Sequence, residues 1–80
     1  MTLKIKKLDP RAKIPTRSTA GSAGMDLCAL LDEPLTVAPG GRVTVPTGIA
    51  IRLPSPETVG LIFARSGLAI KHGLALSNGV

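Results

Sequence analysis

Residues 64–73 read Ala-Arg-Ser-Gly-Leu-Ala-Ile-Lys-His-Gly, and the rest of the chain is organised around them. The preceding residues, 59–63, are rich in side chains that favour β-strands, whereas residues 68–72 favour a short helix. Gly73 is well placed to end that helix, because glycine readily adopts the left-handed conformation that follows a last turn. The pattern predicts a strand that passes into a helical turn at residues 65–67.

This junction is suited to binding an anion. The first N–H groups of a helix have no partner within it and lie at the positive end of its dipole, so a phosphate there gains donors and charge complementarity. Ser66 adds a hydroxyl, Gly67 allows close approach of the backbone, and Arg65 can bind two phosphate oxygens at once. The alternative is structural: Ser66 only caps the helix, and Arg65 is a solvated surface charge.

Two other stretches show the two-residue periodicity of β-strands. Residues 3–8 alternate apolar and basic side chains over their first half, as expected for an edge strand with one solvent-exposed face. Residues 42–53 alternate over a longer distance, but Pro46 and Gly48 would bend or bulge a strand, which predicts a corner between two sheets. The sequence Pro-Gly-Gly at residues 39–41 is a hairpin signal.

Further short apolar runs, separated by Gly and Pro, predict strands at residues 25–31, 35–37, 58–63 and 74–76. Many short strands with one helical turn indicate an all-β protein, either a sandwich, a jelly roll or a barrel. Asp26 is the unusual residue in the first of these runs, because in a strand it faces away from Met25 and Leu27. It lies either in a polar pocket, where it needs donors or a cation, or on the solvent face.

Composition places all 80 residues in a single domain with a net charge of +5. The charge points to an anionic partner, but nucleic acid is not expected, because single-strand binders stack bases on aromatic side chains and this chain has no Trp or Tyr. A small polyanion fits the charge at least as well. No apolar run approaches the ~20 residues that span a bilayer, and no signal peptide is recognisable, so we expect a cytoplasmic protein without a membrane partner.

The lone Cys28 excludes an internal disulfide, and with one His it leaves too few ligands for a structural zinc site. The chain ends at Val80 within a strand-like pattern and without a polar tail, which suggests a domain truncated at its C-terminus.

Residues 23–29 read Ala-Gly-Met-Asp-Leu-Cys-Ala. Together with residues 64–73, and in this order along the chain, they resemble the first and second motifs of the trimeric dUTP diphosphatases, or dUTPases. The Ser-Asn-Gly sequence at residues 77–79 resembles the opening of the third motif of that family. The resemblance covers nearly all of the chain and identifies it as the N-terminal part of a dUTPase-like domain.

The resemblance implies a jelly-roll-like β-clip fold with one short helix, a homotrimer with shared active sites, and Mg²⁺-dependent hydrolysis of dUTP to dUMP and pyrophosphate. It implies that Arg65, Ser66 and Gly67 hold the triphosphate, with Ser66 near the bridging oxygen that becomes the leaving group. Asn78 would belong to the hairpin that binds deoxyuridine. Asp26 would reach the magnesium ion through a coordinated water.

The chain departs from the family pattern after Asn78. The Asp that activates the attacking water and the Tyr beneath the deoxyribose belong there and are absent, so the 80-residue chain is expected to be inactive by itself. His72 is interpreted as a structural or surface residue rather than a general base. Two alternatives remain open: a non-catalytic nucleotide-binding or assembly module, and a dCTP deaminase-like member of the same fold, although the Gly-Leu after Ser66 favours the hydrolase.

Overall fold

A computed structural model describes residues 2–80 and contains two strands and one helix. In chain order these are β1 (Lys4–Lys7), β2 (Ile49–Arg52) and α1 (Ser66–His72). The two strands pair antiparallel, with Ile5 opposite Ile51. The strand predicted at residues 3–8 is therefore confirmed, whereas the periodic stretch at residues 42–53 forms a strand only near its end. Within residues 2–80, no helix has the length and apolar character needed to cross a membrane.

The bend before β2 is centred on Gly48. Its φ of +72° lies in the left-handed region, and its carbonyl accepts a hydrogen bond of 2.7 Å from the Leu8 N–H. A Cβ atom at this position would lie 2.6 Å from Leu30 Cδ2 and 2.9 Å from Ala12 Cβ. Nearby, the Leu30 N–H donates to the Pro46 carbonyl at 2.8 Å. Conformation and packing both require glycine here, and the predicted bend at residues 46–48 is confirmed. The predicted corner between two sheets is not formed, because the described residues make a single two-stranded sheet.

Arg11 joins this corner to the turn at Asp32. Its Nη2 atom lies 3.0 Å from Asp9 Oδ2, and its Nη1 atom donates to Asp32. The hydrogen bond from the Arg11 side chain lowers the pKa of Asp9, and the same contact raises the pKa of Arg11. The stabilisation from Asp9 is therefore present at neutral pH and is lost as the pH falls through its lowered pKa. It is small, because water screens these exposed groups.

Helix α1 begins at Ser66 rather than at residue 68 and ends as predicted. Gly73 follows it with a φ of +66°, and its N–H donates to the Ala69 carbonyl at 3.1 Å. The N-cap position is occupied by Arg65, and no side chain caps the first turn. The structural alternative, in which Ser66 caps the helix, is therefore wrong, because Ser66 is already the first helical residue.

The strands predicted at residues 25–31, 35–37, 58–63 and 74–76 are not formed among residues 2–80, and these predictions are wrong for this chain. The Pro-Gly-Gly sequence does make a turn, in which the Gly41 N–H donates to the Ala38 carbonyl at 2.8 Å, but its flanks do not pair as a hairpin. A strand requires a neighbouring strand to satisfy its N–H and C=O groups. The described residues supply that neighbour only for β1 and β2.

Little apolar surface is covered in this structure. Among residues 2–80, Ala12 and Pro15 are the buried residues, whereas Val59 and Phe63 are 74% and 64% exposed. The accessible surface is 6958 Å². A compact monomer of the same mass would expose about 4,500 Å². The sheet and the Gly48 corner therefore organise the chain without enclosing a hydrophobic core.

We expect Gly48→Ala to raise the hydrogen-exchange rates of the Leu8 and Leu30 amides by about tenfold. An alanine must hold a left-handed φ, which costs roughly 1–2 kcal/mol, and must also displace Leu30, so the bonds to residues 46 and 48 open more often. Amide exchange measured by NMR on the 80-residue chain would test this. Gly21→Ala is the matched control, because a Cβ there meets nothing within 4 Å. Equal exchange in both variants would contradict the expectation.

Candidate functional site

Asp26 and Arg65 lie close together although they are distant in sequence. The Asp26 Oδ2 atom is 3.8 Å from Arg65 Nη1, and the two side chains are 37% and 64% exposed. At this distance the groups form an ion pair without a hydrogen bond. Exposed ion pairs contribute little to stability, so a contribution to folding does not explain this pair. It places an accessible carboxylate beside an accessible guanidinium.

Asp26 is positioned through its backbone. Its N–H donates to the Thr16 carbonyl at 2.8 Å, and the two residues form an isolated antiparallel bridge. The loop between them is held together by Ser22, whose hydroxyl lies 2.7 Å from that of Thr19 and whose carbonyl accepts a bond of 3.1 Å from Arg17 Nε. These local bonds fix the end of the loop from which the Asp26 side chain projects.

The setting of Asp26 combines features of the two alternatives that the sequence left open. A cation, Arg65, lies nearby, as a polar pocket would require, whereas the Asp26 side chain is 37% exposed, as on a solvent face. Sequence reasoning missed Thr16, which was assigned only to an extended connection. The sequence signal was weak, because a residue that contributes its backbone carbonyl can have any side chain.

Arg65 and Ser66 retain their hydrogen-bonding capacity. Among residues 2–80, neither side chain makes a hydrogen bond to the protein. The Arg65 carbonyl accepts the first helical bond, from the Ala69 N–H at 3.0 Å. The N–H groups at the start of a helix have no partner within it, so they too point outward. Guanidinium, hydroxyl and amide donors therefore lie at consecutive positions on one exposed turn.

Gly67 has no structural justification in this helix. Its φ is not in the left-handed region, and a Cβ atom built on it would meet nothing within 4 Å. A glycine within a helix costs roughly 0.5–1 kcal/mol relative to alanine. The position therefore gives up stability while leaving the backbone bare on its open side, which is the property that a closely approaching ligand requires.

Asn78 and His72 are not joined to this group. Asn78 lies in an exposed turn in which the Gly79 N–H donates to the Leu76 carbonyl at 3.0 Å. No hydrogen bond or ion pair within residues 2–80 links Asn78 to Asp26 or Arg65. His72 is exposed in the last turn of α1, in agreement with its interpretation as a surface residue.

The donor set around Asp26 fits a hydrated magnesium ion better than a metal held by protein ligands alone. Within the described part of the chain, no three His, Cys, Asp or Glu side chains form a group that could hold a metal. Mg²⁺ keeps several of its waters and is usually bound through one or two carboxylates and the phosphates of a substrate. A single exposed carboxylate next to phosphate-binding donors is compatible with that mode of binding.

A shallow concavity lies away from these residues, at the end of the β1–β2 pair. It is an open groove lined by Thr2, Lys4, Arg52, Leu53 and Pro54. None of the candidate site residues contributes to it. The site is therefore identified by the grouping of its side chains on an open surface, and an enclosed pocket would require additional polypeptide.

Comparison with known proteins gives consistent matches. A family model described as dUTPase matches residues 10–80. The chain is 54% identical over 80 residues to a deoxyuridine 5'-triphosphate nucleotidohydrolase from Paraburkholderia phymatum, an alignment that covers 98% of this chain and 54% of the relative. Relatives of the same name from Burkholderia multivorans and Desulfitobacterium hafniense are 52% and 54% identical, over 98% and 90% of this chain and 54% and 48% of their own lengths.

The chain thus spans about half the length of the curated relatives it matches. Family membership implies a β-clip, jelly-roll-like fold, and the largely non-helical chain with its small antiparallel sheet agrees with that class. The resemblance carried by residues 23–29 and 64–73 is confirmed by a match that includes both stretches. The chain belongs to the dUTPase family.

Proposed function

We propose that this chain supplies the triphosphate-binding part of an enzyme that hydrolyses dUTP to dUMP and pyrophosphate. The observation that carries the proposal is the distance of 3.8 Å between Asp26 Oδ2 and Arg65 Nη1, which brings together residues of two separate motifs. Hydrolysis of a phosphoanhydride builds negative charge on its phosphate oxygens. A catalyst for it needs positioned cations and donors more than a covalent nucleophile.

Arg65 is proposed to bind the phosphates directly. Its planar guanidinium carries five N–H donors, and a contact of 3.8 Å to Asp26 uses none of them in a hydrogen bond. A phosphate can therefore be bound through two parallel N–H···O contacts without first breaking a hydrogen bond within the protein. The guanidinium lies near the start of α1 because Arg65 is the N-cap residue of that helix.

Ser66 and Gly67 are proposed to contact the bond that breaks. Ser66 donates its hydroxyl toward the bridging oxygen as charge develops on the leaving group, and the bare backbone of Gly67 lets the phosphates approach the first N–H groups of α1. A donor aimed at a developing charge lowers the barrier more than it strengthens ground-state binding. The absence of a protein partner for the Ser66 hydroxyl among residues 2–80 supports this role.

Asp26 is proposed to hold the magnesium ion through one of its waters, and the ion supplies charge neutralisation for the triphosphate. A carboxylate that binds through water needs an exposed surface with room for that water, which the half-exposed Asp26 side chain provides. Asn78 is proposed to contact the deoxyuridine in the assembled protein. Neither role is a property of the 80 residues in isolation.

The assembled enzyme is proposed to be a cytoplasmic homotrimer with shared active sites, in which residues 1–80 form the N-terminal part of one domain. No residue near Arg65 is suited to activate the attacking water, because Asp26 is engaged as described and His72 is not joined to the site. The water-activating group is therefore proposed to come from polypeptide outside these 80 residues. By itself the chain is expected to bind triphosphate weakly and not to turn it over.

A hybrid protein would test the proposed reaction. In it, residues 1–80 are joined to the part of the Paraburkholderia phymatum relative that they do not cover, here called the uncovered part. We expect the hybrid to release pyrophosphate from dUTP in preference to dCTP and UTP. Hydrolysis should stop when EDTA removes Mg²⁺ and should resume when Mg²⁺ is added. The 80-residue chain alone should show no turnover.

The relative itself serves as the positive control. Preference for another nucleotide, or ammonia release from dCTP, would contradict the proposal. If the hybrid bound dUTP in a calorimeter but did not hydrolyse it, the non-catalytic alternative would be supported.

Ser66→Ala in the hybrid should lower kcat by about 10²–10³-fold with a smaller change in KM, because one preorganised donor to the leaving oxygen is lost. Stability should change by less than about 0.5 kcal/mol, since Ser66 does not cap α1. Steady-state kinetics and thermal melts would measure both. Ser55→Ala is the matched control, because Ser55 makes a side-chain hydrogen bond, to the Glu57 N–H at 3.3 Å, away from the site. Normal turnover in Ser66→Ala would remove Ser66 from the mechanism.

Gly67→Ala should have opposite effects on stability and on binding. Alanine favours the helix by roughly 0.5–1 kcal/mol, so the hybrid should melt at a slightly higher temperature. A methyl group on the open side of the turn should obstruct the phosphates and raise KM for dUTP by about tenfold. Thermal melts and kinetics on the same preparation would show this. A more stable variant with unchanged KM would mean that no ligand approaches Gly67.

A further inference from the structure

Three cationic side chains lie on one face of the β1–β2 pair. Because side chains alternate along a strand, Lys4 and Lys6 share a face, and the register places Arg52 directly opposite Lys4. Lys4, Lys6 and Arg52 are all exposed, and together they are here called the basic face. Lys6 lies opposite Ala50, so no acidic residue is present among the paired residues on this side of the sheet.

The pairing of Lys4 with Arg52 is unfavourable for the sheet. Directly opposed residues on antiparallel strands have Cβ atoms about 4.5–5.5 Å apart, and like charges at this distance destabilise the pairing. Neither cation is neutralised within the described part of the chain, where the ion pairs involve Arg11 and Arg65 instead. The side chains of the basic face also make no hydrogen bond among residues 2–80. An anion bound between the two cations would remove the repulsion.

The groove at the end of the β1–β2 pair gives such an anion a place to bind. Lys4 and Arg52 line it together with Thr2, whose hydroxyl is a further donor, and its volume is about 360 Å³. Ligand sites for small molecules usually have volumes of roughly 300–1,000 Å³. Leu53 and Pro54 form the rest of the lining. A guanidinium, an ammonium group and a hydroxyl thus border a space that can hold a small molecule.

The number of cations indicates the size of the anion. A single phosphate group carries about −1.5 to −2 charges at pH 7, which Lys4 and Arg52 balance by themselves. Lys6 lies about 7 Å farther along β1, and it lines a neighbouring concavity that also includes Lys4 and Arg52. A third positive charge beside the first two fits two linked phosphate groups better than one. Duplex DNA is a poorer match, because its tight binding depends on many phosphate contacts, on the order of six to ten.

We propose that the basic face is a second anion site, which binds a small molecule that carries a diphosphate group. Arg52 binds one phosphate through two parallel N–H···O contacts, and the ammonium groups of Lys4 and Lys6 balance the remaining charge. Leu53 and Pro54 provide an apolar wall for the organic part of the ligand. The site contains no residue of the candidate functional site, so it does not rest on the proposed hydrolysis.

Titration of the 80-residue chain with inorganic pyrophosphate, followed by NMR, would test this. The chain carries Arg65→Gln in this experiment, which removes the guanidinium of the candidate functional site. At about 0.15 M salt we expect saturable shifts of the amide signals of residues 2–6 and 50–54, with a Kd below about 1 mM. Saturation with pyrophosphate should also slow amide exchange in β1 and β2 by about threefold, because the opposed charges are then neutralised.

Arg52→Gln separates binding from stability. It removes one of the two opposed charges, so amide exchange in β1 and β2 should slow by about twofold without ligand, while the Kd for pyrophosphate should rise by about tenfold. Arg52→Lys keeps the charge without the paired donors and should give an intermediate Kd. Arg42→Gln, the matched control, removes the same charge from an exposed arginine outside the groove and should change the Kd by less than about twofold.

The proposal is wrong if residues 2–6 and 50–54 show no saturable shift, or if Arg52→Gln and Arg42→Gln weaken binding equally, as general attraction between charges would require. Tighter binding of a short DNA duplex than of pyrophosphate would also overturn it and assign the basic face to nucleic acid.

Kinetics of the hybrid separate this proposal from the proposed function. Arg52→Gln should leave kcat and KM for dUTP unchanged, and a loss of hydrolysis in this variant would overturn the claim of a second site. Pyrophosphate binding at the basic face of the chain, together with a hybrid that does not hydrolyse dUTP, would support the second site and count against the proposed function. Hydrolysis by the hybrid without binding at the basic face would do the reverse.

Discussion

The close approach of Leu30 and Ala12 to the backbone of Gly48 is the contact on which the described fold depends. It joins three distant parts of the chain, because the Gly48 carbonyl binds the Leu8 N–H and the Pro46 carbonyl binds that of Leu30. The pairing of β1 with β2 starts directly from this corner. The run that contains Leu30 also contains Asp26, so the same contact limits where the carboxylate of the candidate site can lie.

The residues of the candidate site make few stabilising contacts with the rest of the described chain. Asp26 and Arg65 form an exposed pair without a hydrogen bond, Ser66 does not cap its helix, and Gly67 weakens it. Each of these features gives up a contact that the protein could have made with itself. Together they leave a carboxylate, a guanidinium, a hydroxyl and the backbone of Gly67 uncovered at the surface, and the proposal of triphosphate binding rests on this exposure.

The sequence predicted the features whose causes are local. β1 follows from its alternating side chains, the end of α1 from Gly73, and the bend before β2 from Pro46 and Gly48. The contact between Asp26 and Arg65 was not predictable from periodicity, because it depends on how distant segments pack. The predictions of the other strands were wrong for the same reason. An apolar run shows that a segment can form a strand, but whether it does so depends on a neighbouring segment with which it can pair. The role of Thr16 could not be predicted from the sequence, because Thr16 contacts Asp26 through its backbone carbonyl and any side chain would allow this.

Residues 59–63, whose backbone groups make no hydrogen bonds among residues 2–80, also affect how the chain folds. A short, uncharged, strongly β-forming sequence such as residues 59–63 is of the kind that stacks into cross-β aggregates when it stays uncovered. The chain places breakers at its borders, with Pro54 and Pro56 before it and the charge of Arg65 after it. Residues of these types interrupt the stacking of identical strands. Arg65 is therefore of a type and in a position to interrupt such stacking, and it is the same residue that lies beside Asp26.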